Sequence, residues 1–114
     1  MSTRLTAPAH GHRWRVDTFG VPAAARDAFL RRVRETHELL ETQPGFVRAQ
    51  LLERTAADGS VNVVTLVEWE SSDAMVAAKA AVAALRAGTG FDPRQMFDAL
   101  GIRAELGEYR SLDA

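Results

Sequence analysis

The sequence predicts one α+β domain whose four-stranded antiparallel sheet carries both long helices on one face. Apolar residues alternate with a period of two in four segments, as in strands, and recur at helical spacing in two longer segments between them. Glycine and proline mark the boundaries of these segments. The resulting order, β-α-β-β-α-β with one extra short helix, is that of the ferredoxin-like arrangement, in which two crossovers flank a central hairpin.

The composition limits the possible functions. The 114 residues suffice for one domain and not for two. A net charge of −1 gives no general attraction to nucleic acid or anionic membranes, and no apolar run approaches the roughly 20 residues of a membrane span. The chain has no cysteine, which excludes disulfides and thiolate sites, and its N-terminus lacks an apolar signal sequence. We therefore expect a cytoplasmic protein with no nucleic-acid or membrane partner.

The chain begins with an arm, a strand and a helix. Residues 1–11 are predicted to form a flexible N-terminal arm, and residues 12–114 a single domain. His12–Phe19 alternates and predicts a strand, which Gly20 is expected to end.

A helix follows from Pro22, which suits a first helical turn, to about Thr42. The sequence Gln43-Pro44-Gly45 stops it. Its apolar stripe contains a histidine and consists of Leu30, Val33, His37 and Leu40. This face is expected to lie against the sheet.

The third strand is apolar on both faces. Phe46–Arg54 predicts the second strand, and Asp58-Gly59 predicts a hairpin into the third strand, Val61–Trp69. Val64 and Leu66 lie on the face opposite the other valines of this strand. A small domain normally buries only one face of its sheet. We therefore expect a second copy of the chain to cover the open face, giving a homodimer of the dimeric α+β barrel type.

Two helices and a strand complete the chain. Ser71-Ser72-Asp73 offers N-cap oxygens for an alanine-rich helix over about Asp73–Ala87. Asp92–Leu100 predicts a short helix that Gly101 closes. Ile102–Leu112 predicts the last strand.

Three motifs carry a family resemblance. Gln43-Pro44-Gly45-Phe46, Val67-Glu68-Trp69-Glu70-Ser71 and Asp73-Ala74, at this spacing, resemble the antibiotic biosynthesis monooxygenase domain over roughly residues 12–110. The resemblance implies the dimeric α+β barrel. Members of that family include cofactor-independent monooxygenases that oxidise aromatic polyketides to quinones, haem-degrading enzymes, and many small proteins of unknown role.

The subfamily motifs are mostly missing. Haem-degrading relatives carry a Trp and a His on the second helix, where this chain has Ala78 and Gly88, and an Asn on the first strand, which has none here. Quinone-forming relatives use an Asn and a Tyr where this chain has Thr65 and Met75. Only Trp69 matches. The resemblance therefore argues against haem degradation by that triad and leaves the chemistry open.

His37 is the candidate catalytic base. It lies on the apolar stripe of the first helix, where a neutral imidazole would take a phenolic or enolic proton from a bound aromatic molecule. The alternative interpretation is a core histidine that bonds to a carbonyl or carboxylate.

Candidate substrate-binding residues surround this position: Trp69, Thr65, Lys79, Met75, Arg48 and Phe91. Trp69 would stack on a planar ligand, or else serve only as a core residue. Lys79 falls in line with Met75 and would hold an anionic oxygen, or else mark a wet stripe of the helix. Arg48 would donate into a pocket or across the dimer interface.

The predicted function is oxidation of a small aromatic, polyketide-like phenol or hydroquinone by O₂ without a cofactor. Three alternatives stay open: a non-catalytic dimer that binds a small hydrophobic ligand, a cofactor-free cyclase or isomerase, and a haem binder that uses His37 in place of the missing triad. No metal site is predicted, because His10 and His12 form only a weak pair without a third ligand.

Overall fold

The structure, a computed structural model, describes residues 11–112, so the predicted arm lies outside the described residues except for Gly11. A short 3₁₀ turn, Ala23–Ala25, leads into the first helix. The remaining elements are β1 (Arg13–Val21), α1 (Arg26–Glu41), β2 (Phe46–Thr55), β3 (Val61–Trp69), α2 (Ser72–Ala87), α3 (Pro93–Leu100) and β4 (Arg103–Arg110).

The four strands form one sheet in the order β2-β3-β1-β4, with every neighbouring pair antiparallel. This is the ferredoxin-like topology, and it confirms the predicted fold class. The helices pack on the face that carries the odd-numbered residues of β1 and β3. Among the helices between residues 11 and 112, none is long and apolar enough to cross a membrane.

Strand β1 is longer than predicted. The expectation that Gly20 ends it is wrong, because Gly20 pairs with Asn62 on β3 and with Arg103 on β4. As a central strand, β1 is held by neighbours on both sides, and this pairing outweighs the weak strand preference of glycine.

Strand β2 contains a bulge that the sequence did not predict. The register shifts between Phe46 and Arg48, which pair with Trp69 and Glu68 respectively. The extra residue, Val47, is 39% exposed. Phe46 and Arg48 therefore lie on opposite faces of the sheet, whereas simple alternation placed them on the same face.

The helix ends follow the predicted local signals. Ser71 Oγ accepts a hydrogen bond of 3.1 Å from the backbone N–H of Ala74 and caps α2. Asp92 Oδ1 accepts one of 2.9 Å from the N–H of Arg94 and caps α3. These bonds satisfy backbone donors that have no partner within the helix. Gly101 closes α3 with a φ of 69°, in the left-handed region that favours glycine.

The core between the sheet and the helices is divided into two clusters. The phenylalanine cluster is centred on Phe19, Phe29 and the partly buried Phe97, with ring centroids 4.8–6.3 Å apart. The tryptophan cluster consists of Val67, Trp69, Met75 and Ala78, with Leu40 and Phe46 packed against it. The residues between the clusters enclose a cavity rather than a continuous core.

The opposite side of the sheet, here called the open face, carries apolar residues and one buried carboxylate. Its apolar members are Trp14, Val16, Leu52, Val64, Leu66 and Tyr109. Glu68 is only 6% exposed and accepts hydrogen bonds from His12 Nδ1 at 2.6 Å and from Arg48 Nε at 2.9 Å.

Candidate functional site

A cavity of about 370 Å³ lies between the sheet and the helices α1 and α2. Its volume is in the usual range for small-molecule sites, roughly 300–1,000 Å³. Six residues of α1 line it, at intervals of three and four positions: Phe29, Arg32, Val33, Thr36, His37 and Leu40. This is the stripe that the sequence predicted, displaced slightly toward Phe29 and Arg32.

Helix α2 and the strands complete the walls. The second helix contributes Met75, Lys79, Val82, Ala83 and Arg86, again along one helical stripe. The floor comes from the odd-numbered residues of β1 and β3, among them Asp17, Thr65 and Trp69. Phe91, Met96 and Phe97 close one end, and Trp69 with Met75 lies toward the other.

Most of the predicted site residues meet in this cavity. His37, Thr65, Trp69, Met75, Lys79 and Phe91 all line it. Arg48 does not, because the β2 bulge and its pairing with Glu68 put it on the open face. There its guanidinium carbon lies 5.3 Å from the ring centroid of Trp14.

His37 has the properties of a neutral base. It is half-buried, and this burial lowers the pKa of its imidazole, an effect that the carboxylate of Glu41 only partly opposes. The ring is therefore uncharged at neutral pH. Among residues 11–112, no side-chain hydrogen bond to His37 is found, so a ring nitrogen remains free to accept a proton. Within the same residues, His37 has no hydrogen bond to a carbonyl or carboxylate, as a core histidine would require.

Two buried polar groups on the cavity floor also lack a side-chain hydrogen-bond partner among residues 11–112. Thr65 is 6% exposed and Trp69 is 2% exposed, and both line the cavity. Neither the Thr65 hydroxyl nor the Trp69 indole N–H makes a side-chain hydrogen bond within the described part of the chain. Buried polar groups are normally satisfied, so two separate ligand oxygens in the cavity would complete them. The ring of Trp69 is fixed by an edge-on contact with Phe46, at 5.7 Å between centroids.

The cavity is unusually rich in cations, most of which the sequence interpretation did not place there. Arg15, Arg32, Lys79 and Arg86 line it, against the single carboxylate of Asp17. Arg15 Nε donates to Asp17 Oδ1 at 2.7 Å and neutralises it. For Arg86 a signal existed in the sequence, because it is on the same helical stripe as Met75 and Lys79.

Arg86 is the most constrained of these cations. It donates to the hydroxyl of Thr36, which in turn donates to the carbonyl oxygen of Arg32 at 3.0 Å. Burial lowers the pKa of Arg86, and the neighbouring charge of Arg32 lowers it further. Arg32 and Arg86 also lie over the same ring, with guanidinium carbons 4.3 Å and 5.4 Å from the centroid of Phe91.

The positions that hold the haem-degrading triad of relatives carry no haem ligand in this chain. Ala78 is buried in the tryptophan cluster and Gly88 caps the end of α2, so neither offers a ligand. His37 is the one imidazole among the lining residues. Within residues 11–112, no group of three or more His, Cys, Asp or Glu side chains is arranged to hold a metal ion.

Proteins of known structure are similar to this chain over most of its length. SnoaB, a cofactor-independent oxygenase from Streptomyces nogalater, is similar at 28% identity over 91% of this chain and 96% of its own, with a TM-score of 0.60. The haem degrader MhuD from Mycobacterium tuberculosis is 25% identical over 90% of this chain and 97% of its own, with a TM-score of 0.58.

A third structure shows the shared fold alone. It is a putative antibiotic biosynthesis monooxygenase from Nitrosomonas europaea, 19% identical over 95% of this chain and 96% of its own, with a TM-score of 0.66. A comparison with curated proteins gives no match. The family model for antibiotic biosynthesis monooxygenase matches residues 15–88, which is more than half of the chain. The chain therefore belongs to the antibiotic biosynthesis monooxygenase family.

Proposed function

We propose that this protein is a cofactor-independent monooxygenase that oxidises a planar phenol or hydroquinone with O₂. The observation that carries this proposal is the neutral imidazole of His37, which lines the cavity and makes no side-chain hydrogen bond within the described part of the chain. Two buried donors, on Thr65 and Trp69, line the same cavity and have no side-chain partner between residues 11 and 112. The similarity to SnoaB, itself a cofactor-independent oxygenase, supports the same reaction class.

The first step is removal of a proton. A ring nitrogen of His37 takes the phenolic or enolic proton and becomes imidazolium, while the substrate becomes an electron-rich anion. The walls of the cavity orient this anion and supply fixed dipoles for its reaction. Thr65 and Trp69 lie about 13 Å apart along β3, a span that a fused-ring ligand can bridge.

The second step is transfer of electrons to O₂. The anion gives one electron to O₂, and the two radicals combine to form a C–O bond at an unsubstituted ring carbon. The imidazolium of His37 protonates the resulting peroxide. The O–O bond then breaks as the C–H proton leaves, giving a quinone carbonyl and one water. Phenol and O₂ thus balance quinone and water, with one oxygen atom in each product. One of the two donors, Thr65 or Trp69, would stabilise the developing peroxide charge, while the other holds an oxygen at the far end of the ligand.

Anthrone provides a direct test, because it enolises to a planar phenol and its oxidation to anthraquinone consumes one O₂. We expect protein-dependent O₂ uptake, and label from isotopic O₂ in both the quinone and water. The variant His37→Gln should lower kcat/KM by about 100-fold or more. The variant His12→Gln is the matched control, since His12 lies on the open face beside Glu68.

The alternatives give different results. Tight anthrone binding without O₂ uptake would favour the non-catalytic binder, and conversion of a substrate without O₂ would favour a cyclase or isomerase. A Soret band that appears on adding haem and is lost in His37→Gln would favour the haem binder. Undiminished turnover in His37→Gln would remove His37 as the base.

We further infer that the protein is a homodimer that buries the open face. The apolar residues of that face support this, because a two-sided apolar sheet requires cover on both sides. The cytoplasmic location stays a prediction from sequence.

A further inference from the structure

The cations of the cavity are not balanced by acids. Asp17 is the single carboxylate among the lining residues, and Arg15 already pairs with it. Arg32 makes an ion pair of 3.4 Å with Glu35, in which both side chains are about half exposed, 51% and 53%. Ion pairs that are this exposed contribute little to the free energy of folding. Within residues 11–112, Arg86 and Lys79 have no carboxylate within ion-pair distance.

The arrangement of Arg32 and Arg86 is costly without a ligand. Two guanidinium groups lie over the ring of Phe91, and the charge of Arg32 lowers the pKa of Arg86, so the two like charges repel. Cation–π attraction compensates part of this cost, but one ring serves both groups. Thr36 also holds Arg86 toward α1 instead of letting it extend into water. An anion between the two arginines would relieve the repulsion.

The position of this pair relative to His37 sets the size of the ligand. Arg32 and His37 are five residues apart on α1, which is about 7.5 Å along the helix axis. Thr36, which holds Arg86, directly precedes His37. A ligand with its reactive oxygen at His37 would therefore bring its far end to Arg32 and Arg86 across one or two fused rings.

We infer that Arg32 and Arg86 bind a carboxylate carried by the aromatic ligand of this cavity, so that the preferred substrate is an aromatic acid. The orientation of the ring rests on the proposed function, whereas the binding of the acid does not. Arginine suits this role because its planar fork can donate two parallel hydrogen bonds to one carboxylate.

The test compares two fluorescent probes that differ only in charge, anthracene-2-carboxylate and the neutral anthracene-2-methanol. Neither can be turned over, so their binding is independent of the oxygenase reaction. We expect the wild type to bind the acid about tenfold more tightly than the alcohol. Raising the salt concentration from about 50 to about 500 mM should weaken the binding of the acid and leave the binding of the alcohol unchanged.

Three variants locate the site. Arg86→Met should lose about tenfold in affinity for the acid and less than about twofold for the alcohol. Arg86→Lys should keep part of the preference, because it keeps the charge but not the fork. Arg31→Met is the matched control: Arg31 is an exposed arginine of α1 that does not line the cavity, and its loss should change neither affinity.

The outcomes separate this inference from the oxygenase proposal. Equal affinity of the wild type for both probes, equal losses of both in Arg86→Met, or no binding of either would overturn the anion site. Should Arg86→Met fail to fold, the same comparison with Arg32→Met decides. O₂ uptake with anthrone, which carries no acid, tests the oxygenase separately.

Discussion

At the scale of single residues, the chemistry of His37 follows from where α1 places it. An exposed histidine titrates at about 6.5, but burial in the cavity wall lowers the pKa of His37 and keeps it a neutral acceptor. Protonation of the buried ring costs free energy, because burial penalises its charged form. This links the proposed base to the stability of the fold.

That linkage predicts how stability depends on pH. Because the pKa of His37 is lower in the folded state, the unfolded chain binds more protons as the pH falls below about 6.5, and stability is lost. We expect the Tm of the wild type to fall by a few more degrees than that of His37→Gln between about pH 7.5 and pH 5. Thermal melts followed by circular dichroism would measure this. An equal fall in Tm for both proteins would contradict it.

The sequence predicts some residues of the site and misses others for a physical reason. His37, Met75 and Lys79 could be placed because helical periodicity tells which side chains share a face. Arg15 and Asp17 could not, because a charged pair on an alternating strand is most simply solvated. Alternation defines the two faces of a strand, but only the assembled fold decides which face is covered.

At the scale of elements, the turn between α1 and β2 contacts the beginning of α2. Gly45 has a φ of 83°, and a Cβ atom at this position would lie 2.5 Å from the Cβ of Ala74. The carbonyl oxygen of Gly45 accepts a hydrogen bond of 2.9 Å from the N–H of Glu70. The Pro-Gly-Phe motif is therefore a point of close approach between two elements as well as a helix stop.

Replacing Gly45 with Ala should therefore be strongly destabilising. The left-handed backbone and the clash with Ala74 together should cost about 2–4 kcal/mol of unfolding free energy. Urea denaturation would measure the loss. Gly88→Ala is the control, because Gly88 has a φ of −74° and a Cβ there meets only ordinary contacts. A loss below about 0.5 kcal/mol in Gly45→Ala would show that the turn can rearrange.

The β2 bulge marks the limit of prediction for elements. Helix and strand positions follow from periodicity and capping, and most bounds differ by only one or two residues. The bulge at Val47 carries no glycine or proline, so no local signal in the sequence shows that Phe46 and Arg48 lie on opposite faces of the sheet. It arises from pairing with β3, which puts Phe46 beside Trp69 and Arg48 beside Glu68.

At the scale of the whole molecule, the open face predicts the oligomeric state. Leu66 lies near the middle of β3 on this face, and an arginine there would have to be buried without a partner in the dimer. We expect a native mass of twice the 12.4 kDa chain for the wild type, and a shift to one chain for Leu66→Arg. Val76→Arg is the control, because Val76 is already 62% exposed on α2. Light scattering after size-exclusion chromatography would measure both, and a monomeric wild type would refute the dimer.

The alternation of β3 has a consequence for signalling between sites. Thr65 and Trp69 face the cavity, while Leu66 and Glu68, their neighbours in the chain, face the opposite way. Only the thickness of one peptide backbone separates the two surfaces. If ligand binding tilts that backbone, the tilt also changes the other side, and association of the two proposed copies then alters ligand affinity by the same factor as the ligand alters association. A single strand would thus make occupancy and assembly one coupled equilibrium.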